Sequence, residues 1–269
     1  MVSREQKKGA VSAAQEYVSE RRACELVELH RTVFRHKRIE KDIELTNKIK
    51  AIAEKKRRFG YRRIYLEINK KENVNHKKVY RLYTKMGLKY RIKHKKKRYQ
   101  GVSVPMIVPQ NINERWSMDF VTDSLYDGRK FRVFNLIDDC SREAVEQHVG
   151  FSISGKRLFR IFEDIKIRRQ LPRQIVCDNG TEFTSKAFMK WAADNKVEIH
   201  FIDKGKPMQN AFVESFNGKF RDECLNEEWF LTINDARKKI KEWSNEYNSE
   251  RVHTSLDGLT PYEFIAQIA

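Results

Sequence analysis

Three acidic residues, far apart along the chain, carry the chemistry this sequence could perform. Asp119 lies inside Trp116-Ser-Met-Asp-Phe-Val-Thr122, Asp178 closes the apolar run Gln174-Ile-Val-Cys177, and Glu214 follows Asp178 after a gap of 35 residues. Brought together, three carboxylates suit one or two Mg²⁺ or Mn²⁺ ions, hard cations that take oxygen ligands and keep open positions for water and phosphate. Two such ions about 4 Å apart activate an attacking oxygen and stabilise the leaving oxygen of an in-line displacement at phosphorus. That chemistry needs no Ser, Cys or Tyr nucleophile. Each acid alone also has an ordinary reading. Asp178-Asn-Gly is a good turn, Glu214 can be a solvated helix residue, and Asp119 can pair with an arginine. Asp138-Asp139 is a further acidic pair, read as a strand-end turn.

The elements that must position these acids are visible as changes of period. Around Glu214, residues Asn210, Glu214, Asn217 and Arg221 form a polar stripe at helical spacing, while Phe212, Val213, Phe216 and Phe220 group on another side as a core face. Asn210 and Asn217 flank Glu214 on that stripe. Strand-like runs cover Arg115–Thr122, Lys130–Ile137 and Ala144–Phe151, with Gly128 in the first turn, so they read as a meander. Alternation puts Trp116, Met118 and Phe120 on one face and Ser117, Asp119 and Val121 on the other. A carboxylate inside a sheet is costly unless paired, so a cation is expected beside Asp119. Helices follow from Ser154, over Ser185–Asp194 and over Asn234–Tyr247, with strands ending at Asp178 and over 197–202. The pattern implies one mixed sheet with helices on its faces, an α/β fold. Trp191, Trp229 and Trp243 are expected in the core, and His148 and His200 as structural residues. His253 is expected to brace the Glu214 helix.

Charge divides the chain. The 269 residues carry a net +18, yet residues 1–100 hold 31 Lys and Arg against 11 Asp and Glu, and residues 101–269 hold 24 against 26. A basic module joined to a near-neutral one fits a nucleic-acid grip attached to separate machinery. There is no long apolar run and no signal-like N-terminus, so a cytoplasmic protein is expected. Cys24, Cys140, Cys177 and Cys224 are widely spaced and read as reduced core residues rather than a disulfide or zinc set.

Within the basic part, Ser19 caps an expected helix with Ala23 and Leu26 facing inward. The Arg31–Arg38 stretch could form the second helix of a helix-turn-helix, although Glu28-Leu29-His30 occupies a turn that usually holds Gly. The pattern is stronger over 45–98. Leu45 to Glu54 is periodic, Arg57-Arg-Phe-Gly-Tyr-Arg-Arg63 breaks it at Gly60, and a helix from Asn75 to Met86 is closed by Gly87. Val79, Leu82, Tyr83 and Met86 give that helix an inward face. Arg57, Arg58, Arg62, Arg63, Lys77, Lys78 and Arg81 are read as DNA phosphate contacts, which would make binding fall with salt. Residues 101–112, with two prolines, read as a linker between a basic helical region (1–100) and a catalytic part (113–269).

Taken in order, Trp116-Ser-Met-Asp119-Phe, Asp178-Asn-Gly-Thr-Glu-Phe183, Asn210-Ala-Phe-Val-Glu214-Ser-Phe-Asn217, Arg221 and the tail Tyr247-Asn-Ser-Glu-Arg-Val-His-Thr-Ser-Leu256 with Thr260-Pro261 closely resemble the integrase core of bacterial insertion-sequence transposases. Arg58-Phe-Gly-Tyr-Arg-Arg63 and the helix from Asn75 resemble the helix-turn-helix region of the second-frame product of IS-three-type elements. The resemblance implies a ribonuclease-H-like catalytic core preceded by a helical DNA-binding domain. It implies Asp119, Asp178 and Glu214 as the metal-binding triad, two Mg²⁺ or Mn²⁺ ions, and Arg221 as a DNA contact; Lys206, in the loop before the Glu214 helix, is placed to hold a phosphate. The reaction implied is hydrolysis at an element end to free a 3′-OH, then attack of that hydroxyl on another strand. Partners implied are element-end and target DNA, further copies of the chain and the first-frame product, in a nucleoid-associated setting. An inactive regulator of transposition and a structure-specific nuclease of the same fold are the alternatives.

Overall fold

The computed structural model describes residues 2–35, 42–89, 108–203 and 207–268, arranged in two compact units, 1–50 and 51–269. The first holds α1 (Arg4–Ala14), α2 (Glu20–Leu26), α3 (Arg31–Arg35) and the start of α4 (Ile43–Lys55). Ser3 caps α1 through a reciprocal box with Gln6, and Ser19 accepts from the Arg22 amide at the head of α2. Val11, Ala23, Cys24 and Leu29 form its small core. Leu26, expected inside, is 61% exposed. The turn without glycine is made by Glu28, which takes the left-handed conformation at φ 52°. Glu20 then ties α2 to α3 by accepting from Arg31 at 3.2 Å and Arg35 at 2.8 Å.

The second unit continues with α5 (Tyr61–Asn69) and α6 (His76–Lys85). Ile64 and Ile68 on α5 and Val79, Leu82 and Tyr83 on α6 are buried, and Gly87 ends α6 at φ 69°, a conformation glycine adopts without a Cβ clash. Of the expected linker over 101–112, residues 101–107 lie outside the described residues.

A five-stranded sheet follows, built from β1 (Arg115–Ser124), β2 (Lys130–Asp138), β3 (Ala144–Gly150), β4 (Gln174–Cys177) and β5 (Glu198–Phe201), in the order β3-β2-β1-β4-β5. The first three strands form the antiparallel meander, and β4 and β5 join β1 in parallel. Against one face, α7 (Gly155–Arg168) and α8 (Lys186–Asp194) bury Leu158, Phe162, Phe188 and Trp191 over Trp116, Met118, Phe134 and Ile175. Against the other, α9 (Ala211–Phe220) and α10 (Ile233–Ser249) bury Val213, Phe216, Phe220, Ile240 and Tyr247 over Val121, Phe131, Val133 and Ile137. Burial of this kind contributes roughly 1.5–3 kcal/mol for each large apolar side chain. The chain closes with α11 (Pro261–Ile268). Trp191 is core and Trp243 packs against the core, but Trp229 is 73% exposed, edge-on to the exposed Tyr126. The four cysteines are buried and free.

Candidate active site

Sheet register sets the first two acids. Ser117 on β1 stands opposite Val176 on parallel β4, so the same register two residues on brings Asp119 alongside Asp178, at the end where β4 gives way to its turn. Asp178 Oδ1 accepts from the Gly180 amide at 2.9 Å. A Cβ at position 180 would sit 2.9 Å from that same oxygen, so a side chain there would push the Asp178 carboxylate from its place. Glu182, two residues on, pairs with Arg132, whose guanidinium lies 4.1 Å from the centre of the Phe120 ring.

Helix α9 supplies the third acid. Its buried Val213, Phe216 and Phe220 fix the helix on β1 and β2, which leaves Glu214 exposed one position round from the core stripe. Asn217, one turn along, donates Nδ2 to Asp119 Oδ2 at 2.7 Å, and Asn210 donates to the Met118 carbonyl at 3.3 Å. The flanking asparagines therefore bind the helix to the strand that carries Asp119.

Among the described residues no Lys, Arg or His supplies the cation expected beside Asp119. Burial pushes its carboxyl up to about 6, and the carboxylates of Asp178 and Glu214 push the same way, against hydrogen bonds from the Phe120 amide and Asn217. The three acids thus share one electrostatic environment, and among the described residues none of them is ion-paired with a Lys, Arg or His. As placed, no trio of His, Cys, Asp or Glu among the described residues encloses an ion-sized space. The donor set fits a hard cation all the same. It is all carboxylate and short of positive charge, and two of its members, Asp178 and Glu214, are exposed with rotamers open to solvent.

Two residues behind the site were missed by sequence reasoning. Asn135 pairs across the sheet with Asp119, is wholly buried, and donates to Asn217 Oδ1 at 2.7 Å while accepting from Gln147 at 2.8 Å. The amides of Gln147, Asn135 and Asn217 thus form a chain that ends on Asp119. The available signal was an amide in the middle of the apolar run Phe131–Ile137.

The basic residues divide. Arg57, Arg62, Lys77 and Arg81 are exposed and Lys78 is half-buried. Arg58 and Arg63, expected as phosphate contacts, are engaged within the protein instead. Arg58 reaches Glu227 at 3.0 Å and Asp222 at 3.3 Å, and Arg63 reaches Glu223 at 2.8 Å, because acids after α9 face this segment. Arg221 is exposed and donates to the Thr122 carbonyl at 3.0 Å, beside the strand of Asp119. Lys206 lies outside the described residues. His253 is buried and packs edge-on against Tyr247, which in turn meets Phe216 of α9.

A five-stranded mixed sheet with an acid on its central strand, one at the end of the neighbouring parallel strand and one on the covering helix defines an integrase-type catalytic core. Family models agree: "integrase core domain" matches residues 109–207 and 195–261, and "HTH-like domain" matches 40–96. A protein of insertion element IS407 from Burkholderia multivorans is 43% identical over 93% of this chain and 91% of its own length. A transposase of insertion sequence element IS150 from Escherichia coli, InsK, is 28% identical over 78% of each chain. The cryo-EM structure of the simian T-cell lymphotropic virus intasome, with a TM-score of 0.52 at 13% identity over 80% of this chain and 73% of that one, shares the fold. The chain belongs to the integrase-core transposases of bacterial insertion sequences, with the helix-turn-helix-like region and ribonuclease-H-like core of the second-frame products of IS-three-type elements. Among its described residues no helix is long and apolar enough to cross a membrane.

Proposed function

We propose that this transposase cuts and joins DNA strands with Asp119, Asp178 and Glu214 as ligands of two Mg²⁺ or Mn²⁺ ions. The observation that carries the assignment is the setting of Asp119, a half-buried carboxylate on the central strand, in register with Asp178 and bonded to the helix of Glu214. Burial, with two acids rather than a base beside it, raises the Asp119 carboxyl to about 6. When bound, such ions would polarise a phosphodiester and lower the pKa of the attacking water or 3′-OH. The chain's own residues do the positioning. Asn217 fixes which oxygen of Asp119 faces the cleft, Asn210 holds the head of α9 to β1, and the Asp178 turn keeps its carboxylate at the strand end. Arg57, Arg62, Lys77, Lys78, Arg81, Lys206 and Arg221 take DNA phosphates, and copies of the chain assemble to hold two element ends. The setting is the bacterial cytoplasm.

The test replaces Asp178 with Asn and measures cleavage and joining on an element-end duplex in Mg²⁺. Lost chemistry with retained duplex binding is expected; undiminished joining sinks the assignment.

A further inference from the structure

On the flank of α9 turned away from Glu214, a cavity of about 280 Å³ is lined by cations and hydroxyls that the catalytic reading does not use. Ser215 and Lys219, one turn apart on the helix, share its wall with Arg142, Tyr247 and Ser255, and Phe212 and Phe216 supply apolar surface. Arg142 is held in place from two sides. Its guanidinium sits 4.0 Å from the centre of the Phe212 ring and donates to the Asp139 carbonyl at 2.6 Å.

Two groups in this wall lack partners. Tyr247 is 2% exposed, and its hydroxyl, which makes no hydrogen bond to a described residue, opens onto the cavity rather than being sealed in the core. Lys219 likewise has no hydrogen bond or ion pair among the described residues. The carboxylate nearest to it in charge, Glu223, is already gripped by Arg251 at 2.7 and 2.8 Å and by Arg63 at 2.8 Å. Burial, then the Arg251 and Arg63 cations, push the Lys219 ammonium down to about 8, with Arg142 adding to the effect and Glu223 opposing it. A half-buried cation beside three others, facing a cavity edged by three hydroxyls, has no carboxylate partner among the described residues.

We propose that this cavity binds a phosphate group, with the Lys219 ammonium and the Arg142 guanidinium as its cations and the Tyr247, Ser215 and Ser255 hydroxyls as its hydrogen-bonding rim. The ammonium, the guanidinium and hydroxyl donors match a tetrahedral oxyanion. The volume exceeds that of a bare phosphate, and the Phe212 and Phe216 wall suits an attached sugar. The phosphate is that of a DNA backbone or a free one. Only the DNA source rests on the transposase reading, which places a strand along the neighbouring face of α9.

The experiment uses the full chain, its Lys219→Met variant and its Tyr247→Phe variant, which removes only the hydroxyl. One arm measures melting in millimolar inorganic phosphate against chloride at equal ionic strength. Phosphate stabilises many proteins by exclusion from their surface, so the readout is the difference between wild type and variant. The other arm measures duplex binding against NaCl concentration, where losing one phosphate contact lowers the log–log slope by about 0.9. A phosphate-induced rise in Tm larger in wild type than in both variants supports the pocket. A slope reduced in Lys219→Met then identifies backbone phosphate as the source, and an unchanged slope identifies free phosphate. Equal Tm shifts and equal slopes in all three proteins overturn the proposal. The phosphate arm contains no DNA and no catalysis, so its failure is separate from failure of the triad assignment.

Discussion

Asp119 and Asp139 belong to the same meander, and burial holds both up near pH 6, but their surroundings are opposite in sign. Around Asp119 the neighbouring charges are the carboxylates of Asp178 and Glu214. Around Asp139 they are Arg115, 2.6 Å away, and Arg142. Next to Asp139, Asp138 accepts from the Asn113, Cys140 and Ser141 amides, the Ser141 hydroxyl and the Trp116 indole. One acidic pair is therefore a structural knot tied by the protein's own cations and donors, although Asp139 Oδ1 accepts no hydrogen bond among the described residues. The other acidic group is left unfinished, and a metal would complete it. A raised carboxyl by itself distinguishes nothing; the sign of the charges around it does.

Substitutions should separate the two groups sharply. Asp119→Asn is expected to lower strand joining by about a hundred- to a thousandfold, on the scale of losing a transition-state stabiliser. In the metal-free protein the same change should leave the melting temperature level or raised, because at neutral pH the charge it removes is disfavoured by burial. A matching loss of folding would make Asp119 structural and erase the contrast. Arg115→Met acts at the other group. It strands the buried Asp139 and should cost about 3–5 kcal/mol in urea unfolding. A cost within experimental scatter would mean that the knot does not depend on its ion pair.

Acid unfolding gives a finer test. Burial and the cations Arg251, Lys219, Arg63 and Arg142 push His253 down to about 2. The folded chain keeps this ring neutral while the unfolded chain protonates it below about 6.5, so its contribution is present above that pH and lost on acidification, by about 1.4 kcal/mol per pH unit. Asp119 and Asp139 act oppositely between about 4 and 6, where the folded chain holds protons that the unfolded chain releases; their contribution falls as pH rises through this window. His253→Asn should therefore flatten the acid limb of the stability curve relative to wild type. Parallel curves would mean that the ring is charged in the fold.

Much of this was legible in the chain. Alternation located the three meander strands, the helical stripe through Glu214 located α9, and Gly60, Asn75 and Gly87 bounded the helices before the core, since all of these are local effects of backbone and side-chain period. The ordered motifs around the three acids singled them out by resemblance as the proposed triad, and sheet register then explained why two of them are neighbours. What was hidden depends on distant pairing. Arg58 and Arg63 look like DNA-facing arginines until Glu227 and Glu223, about 160 or more residues later, come beside them. Asn135 looks like a blemish in an apolar strand until α9 lays Asn217 over it. Trp229 was placed inside as part of a helical pattern, but it lies outside any helix, and hydrophobicity says where a residue gains by burial, not whether a partner surface exists.

The most direct measurement is anomalous scattering from crystals of the transposase grown with Mn²⁺. The account predicts peaks bounded by the carboxylates of Asp119, Asp178 and Glu214, and their loss in Asp119→Asn. Manganese that binds only elsewhere, or peaks at this site that survive the substitution unchanged, would contradict it.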